Sequence, residues 1–280
     1  MKVDLHIHST YSDGELTPMQ LLNLCYDKDM KIISITDHNS IMGAKEAITL
    51  NPYKNIKVIP GIEINAKYTG GEQHILGYNI EIDNKDLNNI CKLIVEDNLR
   101  RIKSLVANLK SIYGISFKDE ELQDVYNMVG NIGRPEIAKL CLKHGYVKTI
   151  QEAFDKLFIP IKDKTVKRQV DLSAKECIEY IINAGGVASL AHPITLNKDT
   201  KDLKEYIKEL KTYGLSAIEV YHSLHSAQYS NNLLKIAKEL NLLCSAGSDY
   251  HGVLVKPNIF VGEYNKKDLK EEDITILSKI

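Results

Sequence analysis

Val3-Asp4-Leu5-His6-Ile7-His8-Ser9 decides how the rest of the chain is read. Alternate residues of a β-strand share a face, so His6 and His8 can turn both imidazoles toward one ion, which helical spacing would not allow. The spacing returns at Asp249-Tyr250-His251, after the apolar run Leu242-Leu243-Cys244-Ser245-Ala246. Between these ends Asp13 follows the first extended run, His38 the second and Glu63 the third, with His74 and His192 at later ones. Six of the nine histidines and three carboxylates thus stand at the borders of extended runs, the pattern of a metal site assembled from many strands.

Outward from that stretch, short β-branched runs alternate with helical spacing. Strands are expected over residues 3–8, 31–36, 57–64, 74–78, 186–191, 217–221 and 243–246, with 258–262 as an eighth candidate. Helices are expected over 18–28, 175–184, 201–213 and 230–240. Thr17-Pro18 has the form of an N-cap with proline in the first helical position, and Ser173 with Glu176 that of a capping box. Such alternation predicts a parallel sheet, and seven or eight units predict closure into an α/β barrel with its site at the carboxyl ends of the strands. Residues 87–167 break the rhythm. Ile90, Leu93, Ile94, Ile102, Leu105, Val106 and Leu109 mark one apolar helical face. The expected organisation is a barrel from 1–86 and 168–280 carrying a helical insertion, 87–167, over its mouth.

With 280 residues and 44% hydrophobic content the chain can bury a large core, and a net charge of -1 excludes a general attraction to nucleic acid. The five cysteines are scattered among apolar neighbours with no C-x-x-C pair, as reduced core thiols are. Neither a leader segment nor an apolar run long enough for a membrane span is visible. A cytoplasmic protein with no membrane contact and no obligate protein partner is expected.

Imidazole and carboxylate donors without thiolate suit Mn²⁺, Fe²⁺ or Zn²⁺ in an open, hydrolytic site. Nine donors exceed one ion's needs and point to two or three ions sharing carboxylates, with Glu63 and Asp249 as the natural bridges. Three such ions and three carboxylates sum to roughly +3, a charge suited to a phosphate dianion.

The ordered series His6-Ile7-His8-Ser9, Ser12-Asp13-Gly14, Thr36-Asp37-His38, Gly61-Ile62-Glu63, His74, Ala191-His192-Pro193 and Gly247-Ser248-Asp249-Tyr250-His251 closely resembles the PHP (polymerase and histidinol phosphatase) superfamily. Gly133-Arg134-Pro135 and Ala184-Gly185-Gly186-Val187-Ala188 resemble a branch of it that includes phosphatases acting on AMP and nucleoside 3′,5′-bisphosphates, and 5′-to-3′ exoribonucleases. The resemblance implies a distorted seven-stranded TIM-like barrel with a trinuclear metal centre. His6, His8, Glu63 and Asp249 would surround the first ion, Glu63, His74 and His192 the second, and Asp13, His38 and His251 the third. Asp37 would stand behind them, orienting an imidazole.

For the substrate, the resemblance points to Arg134 as a phosphate-binding fork and to His225, in preference to His222, as a histidine near the reacting group. Glu136 departs from the branch, which carries histidine there. Arg100 and Arg101 are candidates for steering an anion, and Tyr113 and Tyr126 for stacking on a base. The expected reaction is hydrolysis of a nucleotide phosphomonoester by a metal-bridged hydroxide, with Glu63, Asp249 and His192 at the reacting centre and His225 or a water protonating the leaving group. Short single-stranded RNA is a further candidate substrate. Histidinol phosphate is the alternative within the same chemistry. A catalytically silent metal-binding regulatory module and an amidohydrolase are the alternatives from other classes.

Overall fold

A computed structural model describes residues 2–128, 130, 132–264 and 269–280. The first βα units are β1 (Lys2–Ile7), α1 (Pro18–Asp27), β2 (Met30–Ile35), α2 (Met42–Leu50) and β3 (Lys57–Val58). Thr17 opens α1 with a reciprocal capping box to Gln20, and Pro18 occupies the position where a missing N–H does no harm. The helix α2 has no counterpart in the sequence reading. Its face is made of small residues, Gly43, Ala44 and Ala47, rather than a bulky apolar stripe. At Gly43 a Cβ would stand 1.9 Å from Asp37 Oδ2, so only glycine lets the helix approach that carboxylate.

The expected single strand over 57–64 is two. Pro60 has no backbone N–H with which to continue the ladder. Upstream, β3 pairs with β2; downstream, β4 (Gly61–Ala66) starts a different sheet. The chain then returns through β5 (Gln73–Tyr78), antiparallel to β4. This corrects the all-parallel expectation, and the reason is legible in the sequence. Only residues 67–72 join β4 to β5, including Gly70-Gly71, and a parallel crossover needs a dozen residues or more.

The long helix α3 (Lys85–Tyr113) follows, then α4 (Asp119–Tyr126), α5 (Arg134–Lys143) and α6 (Ile150–Ala153), which runs on through a π turn (Phe154–Phe158) into a 3₁₀ turn (Ile159–Lys164). The first half of α3 buries Leu87, Ile90 and Ile94 against the sheet body. Its second half buries Ile102, Leu105 and Leu109 in a separate apolar cluster with Ile137, Cys141 and Phe158. Asp97, between the halves, accepts from the backbone N–H groups of Gln169 (2.8 Å) and Val170 (3.3 Å) and pairs with Arg100 at 2.6 Å. This ties the exit of the helical segment to its entrance.

The remaining elements are α7 (Ala174–Asn183), β6 (Val187–Leu190), α8 (Thr200–Thr212), β7 (Ala217–His222), α9 (Ala227–Glu239) and β8 (Leu243–Gly247). Ser173 and Glu176 form the capping box at the start of α7. No strand forms over 258–262, where the chain makes turns. Among the described residues there are eight strands in two sheets, β1-β2-β3 and β4-β5-β6-β7-β8. A closed seven-stranded barrel is not what forms. Single bridges alone join the sheets, Ile7 with Tyr250 on one side and His38 with Glu63 on the other. All five cysteines are buried and unbonded, and no helix among the described residues is long and apolar enough to cross a membrane.

A candidate metal centre at the strand ends

The seams between the sheets lie where the histidines and acids collect. Asp249 N–H donates to His6 O (2.8 Å) across one, and Asn39 N–H to Glu63 O (2.7 Å) across the other. At Gly247 a Cβ would fall 2.1 Å from that of His6, so glycine is required for β8 to lie this close to β1. His192 and Asp249 have φ of 22° and 59°. Such backbone costs about 1–3 kcal/mol per residue and is tolerated where a side chain must be aimed. Both follow a strand end and point inward.

The structure brings together all nine residues of the sequence-derived set. Glu63 is wholly buried and directs its two oxygens to different imidazoles. Oε1 lies 3.0 Å from both His74 Nδ1 and His192 Nε2. Oε2 lies 2.9 Å from His38 Nδ1, 3.3 Å from His8 Nε2 and 3.4 Å from His6 Nε2. Asp249 Oδ1 stands 3.3 Å from His8 Nε2 and 3.5 Å from His6 Nε2. Asp13 Oδ1 is 3.2 Å from His251 Nε2, and its Oδ2 is 3.9 Å from His38 Nε2. Compact groups able to hold an ion are His8/Asp13/His38/His251, His6/His8/Asp249, His6/Glu63/His192 and His38/Glu63/His74.

The donor chemistry fits divalent ions. Ser12 Oγ gives its hydrogen to Asp37 Oδ1 at 2.7 Å, so at 3.3 Å it can only accept from His8 Nδ1. His6 Nδ1 faces Glu219 Oε1 at 3.0 Å. A neutral ring at either position therefore turns a bare Nε2 inward, and these two atoms are 3.1 Å apart. Lone pairs that close need a cation between them, a proton on His6 or a metal ion. Asp13 Oδ1, His38 Nδ1 and Glu63 Oε2 are likewise buried, and their close contacts with one another and with His251 are not aligned as hydrogen bonds. Asp37 thus reaches His8 through Ser12, and it also accepts from Ser9 N–H at 2.7 Å.

The electrostatics carry the same demand for positive charge. Burial penalises the charged form of His38, but Glu63 and Asp13 outweigh it and raise the group to about 9. His6 is raised in the same way against burial by Glu219, Glu63 and Asp249. His8, buried and flanked by His251 and His38, is lowered to about 4. Burial opposes ionisation of Glu63 too, yet His38, His6 and His74 hold its carboxyl well below the usual range.

Residues that sequence reasoning passed over complete the centre. Glu219, on β7 and fully buried, holds His6 Nδ1 and accepts from His192 N–H at 2.7 Å. A carboxylate inside Ala217-Ile218-Glu219-Val220-Tyr221 was the available signal, since an unpaired charge is not left in a strand core. Lys256 places Nζ 2.5 Å from Asp249 Oδ2.

A cleft of about 760 Å³ opens above the centre. Asp13, His38, His74, His192, Asp249 and His251 line its floor, with His6, His8 and Glu63 buried beneath them, and Arg101, Arg134, Lys162, Phe154 and Phe158 form its helical wall, joined by Arg168 from the loop that follows. Arg134 lies over the Phe154 ring at 5.1 Å. Burial lowers Arg101, and the neighbouring Arg168 and Arg134 push it further down, the mark of cations crowded together. Other expected substrate residues lie elsewhere. Arg100 is occupied with Asp97 and the Lys167 carbonyl. Tyr113 and Tyr126 are not in the cleft lining. His225 is not there either: it is buried behind His222, with Nδ1 donating to Val220 O at 3.0 Å. Glu136 is buried and does not line the cleft, its Oε2 accepting from Gly133 N–H at 2.9 Å at the head of α5.

Fold, donor set and cationic cleft define a metal-dependent phosphoesterase. The PHP domain family matches residues 4–167, and the chain belongs to that family. The 5′-3′ exoribonuclease of Haemophilus influenzae is 29% identical over 256 residues, covering 89% of this chain and 90% of that one. The 3′,5′-nucleoside bisphosphate phosphatase of Chromobacterium violaceum is 28% identical over 249 residues, covering 89% and 87%. A solved protein from Bifidobacterium adolescentis, described as a metal-dependent phosphoesterase, superposes with a TM-score of 0.84 at 27% identity, covering 99% of this chain and 96% of that one.

Proposed function

We propose that the protein hydrolyses a phosphomonoester of a nucleotide, AMP or a nucleoside 3′,5′-bisphosphate, and that short 5′-phosphorylated RNA is an extended form of the same substrate. The observation that carries this reading is the shared cleft, in which Arg101, Arg134, Lys162 and Arg168 face the histidine and carboxylate floor. One phosphate on the floor leaves the wall cations free for further negative charge, which a nucleoside 3′,5′-bisphosphate or an RNA strand supplies and AMP or another simple monoester does not. Phe154, backed by the buried Phe158, supplies an apolar surface for a base. The relatives' activities on bisphosphates and RNA support the same class.

The nine floor residues would hold two or three Mn, Fe or Zn ions, with Glu63 shared between them. Bound there, such ions act as Lewis acids and make water a nucleophile near neutral pH. The chain's own groups do the rest. Glu219, Ser12 and Thr195 fix the ring orientations of His6, His8 and His192. Arg134 binds phosphoryl oxygens with a planar fork, and Phe154 beneath it restricts where that fork can point. Residues 87–167 form the wall side apart from Arg168, which joins it from the next residue of the chain, so we assign 87–167 as the substrate-selecting insertion and residues 1–86 and 168–280 as the metal-binding body.

The test is phosphate release by the Mn²⁺-supplemented protein from AMP, a 3′,5′-bisphosphate, histidinol phosphate and 5′-phosphorylated short RNA, with mononucleotides also followed. Preference for the nucleotides is expected. Preference for histidinol phosphate would move the protein to that substrate class, and metal uptake with no turnover of any of the four would make it a binding module.

A further inference from the structure

His222 closes β7, wholly buried, and the nine floor residues leave it without a role. Its Nε2 lies 3.6 Å from Asp249 Oδ2 and 3.9 Å from Glu219 Oε2, and with His6 and Glu219 it makes a group compact enough to hold an ion. On distances alone it reads as a tenth ligand.

The other ring nitrogen decides against that. The backbone N–H of Leu224 donates to His222 Nδ1 at 3.1 Å. A backbone amide can only donate here, so Nδ1 must present its lone pair, and the single ring hydrogen sits on Nε2. A nitrogen that carries hydrogen cannot bind a metal. Three of the ligand rings have the opposite polarity. His6 Nδ1 faces the Glu219 carboxylate, and His251 Nδ1 faces the backbone oxygen of Asp249 at 2.9 Å. His192 Nδ1 faces Thr195 Oγ1 at 3.0 Å, and that hydroxyl's hydrogen is directed to the Glu72 carbonyl at 2.8 Å. Each keeps its hydrogen on Nδ1 and turns a bare Nε2 to the centre.

We propose that His222 is a positioning residue of the metal centre and not a ligand: with Lys256 it fixes Asp249 Oδ2, so that Asp249 offers the ions Oδ1 alone. Lys256 Nζ holds Oδ2 at 2.5 Å from the cleft side, and the His222 N–H faces the same oxygen from the interior. At 3.6 Å the contact is longer than a hydrogen bond and acts as an oriented dipole. Oδ1 is left within 3.3–3.5 Å of His8, His251 and His6. The sequence expectation that Asp249 bridges two ions is replaced by one in which Glu63 is the bridging carboxylate. The inference rests on the metal-centre reading and refines it.

The test compares the wild type with His222→Gln, whose amide can still donate at the Nε2 position, and His222→Leu, which cannot. In metal-free protein, ¹⁵N-resolved histidine spectra should show His222 bare at Nδ1 and protonated at Nε2, the signals being assigned by their loss in His222→Gln. Mn²⁺ titration should give His222→Leu the wild-type number of ions with one bound about 10–100-fold more weakly, and His222→Gln should restore the affinity. Loss of one ion in both variants would make His222 a ligand and overturn the proposal, as would an unchanged affinity in His222→Leu. If the leucine variant does not fold, the wild-type spectrum and His222→Gln remain decisive. Wild-type protein that takes up no Mn²⁺ overturns the metal reading and the inference with it. An Nδ1–H tautomer in protein that does bind Mn²⁺ overturns the inference alone.

Discussion

The floor and the wall of the cleft are built on different principles. Floor residues come from the ends of many strands, and His6, His8 and Glu63 are completely buried, with each ring locked by a partner such as Ser12, Glu219 or Thr195. Wall residues come from α3, α5, the π and 3₁₀ turns and the loop after them, and Arg134, Lys162 and Arg168 stand exposed. A rigid, over-determined floor suits chemistry, which tolerates no misplacement. A wall of long cationic side chains on a separately packed helical segment suits recognition, and can change without disturbing the floor.

The strongest way to break this contrast is to remove the bridge. Glu63→Gln should lower kcat/KM by at least about 10³-fold, as removing a centre of charge stabilisation does, and should reduce the number of Mn²⁺ ions bound. Full metal content with full turnover would show that Glu63 is not the bridge. Next comes Glu136, at the junction of wall and floor. Burial, opposed by Lys139 and reinforced by Asp13, raises it to about 7 from an ordinary 4.5. Because the folded protein holds this proton above the pH at which the unfolded chain releases it, the group's stabilisation is complete below about 4.5 and lost as pH rises through 7. Glu136→Gln keeps the cap on Gly133 and cannot ionise. Its denaturant-unfolding stability relative to wild type should therefore grow by about 3 kcal/mol between pH 4.5 and 8. Parallel pH profiles for the two proteins would contradict the buried, proton-holding carboxyl.

Arg134→Ala should cost about 10–100-fold in kcat/KM through one charge-assisted, forked contact, with metal content unchanged. A fall in metal content would erase the division between wall and floor. The smallest effect is expected from Phe154→Leu. Loss of the aromatic face is worth about 0.5–1.5 kcal/mol, roughly a twofold to thirteenfold loss on AMP that should be absent for a phosphate ester with no ring. Equal losses on both substrates would place Phe154 in support of Arg134 and not against a base.

The floor was legible in the sequence to an unusual degree because its signals are local. Spacing of two puts His6 and His8 on one face, and each acid follows an extended run. The wall was not. Amphipathic spacing marked the helices, but which side of α3 meets the cleft depends on tertiary packing, so Arg100 and Arg101 could not be separated in advance although one ties α3 to residue 167 and the other lines the cleft. The same limit hid His222, whose role depends on the hydrogen of Leu224, and Lys256, which meets Asp249 only through the turn after β8. The antiparallel β5 could have been read, since Gly70-Gly71 in a short connection forbids a crossover. The break between β3 and β4 was likewise written in Pro60.

The seam between β1 and β8 has a consequence for how the protein is made. His8 N–H bonds to Tyr250 O at 2.9 Å, so the first strand, paired with β2 on one side, meets its neighbour on the other near the far end of the chain. At roughly 5–20 residues per second, synthesis needs on the order of 10 to 50 seconds to pass from one to the other. Throughout that interval the nascent chain displays a bare pair of histidines with no Asp249 and no Lys256 beside it. The discrimination among metals that nine converging donors provide belongs to the finished polypeptide alone, and whichever ion the histidine pair meets earlier is held by weaker and less selective chemistry.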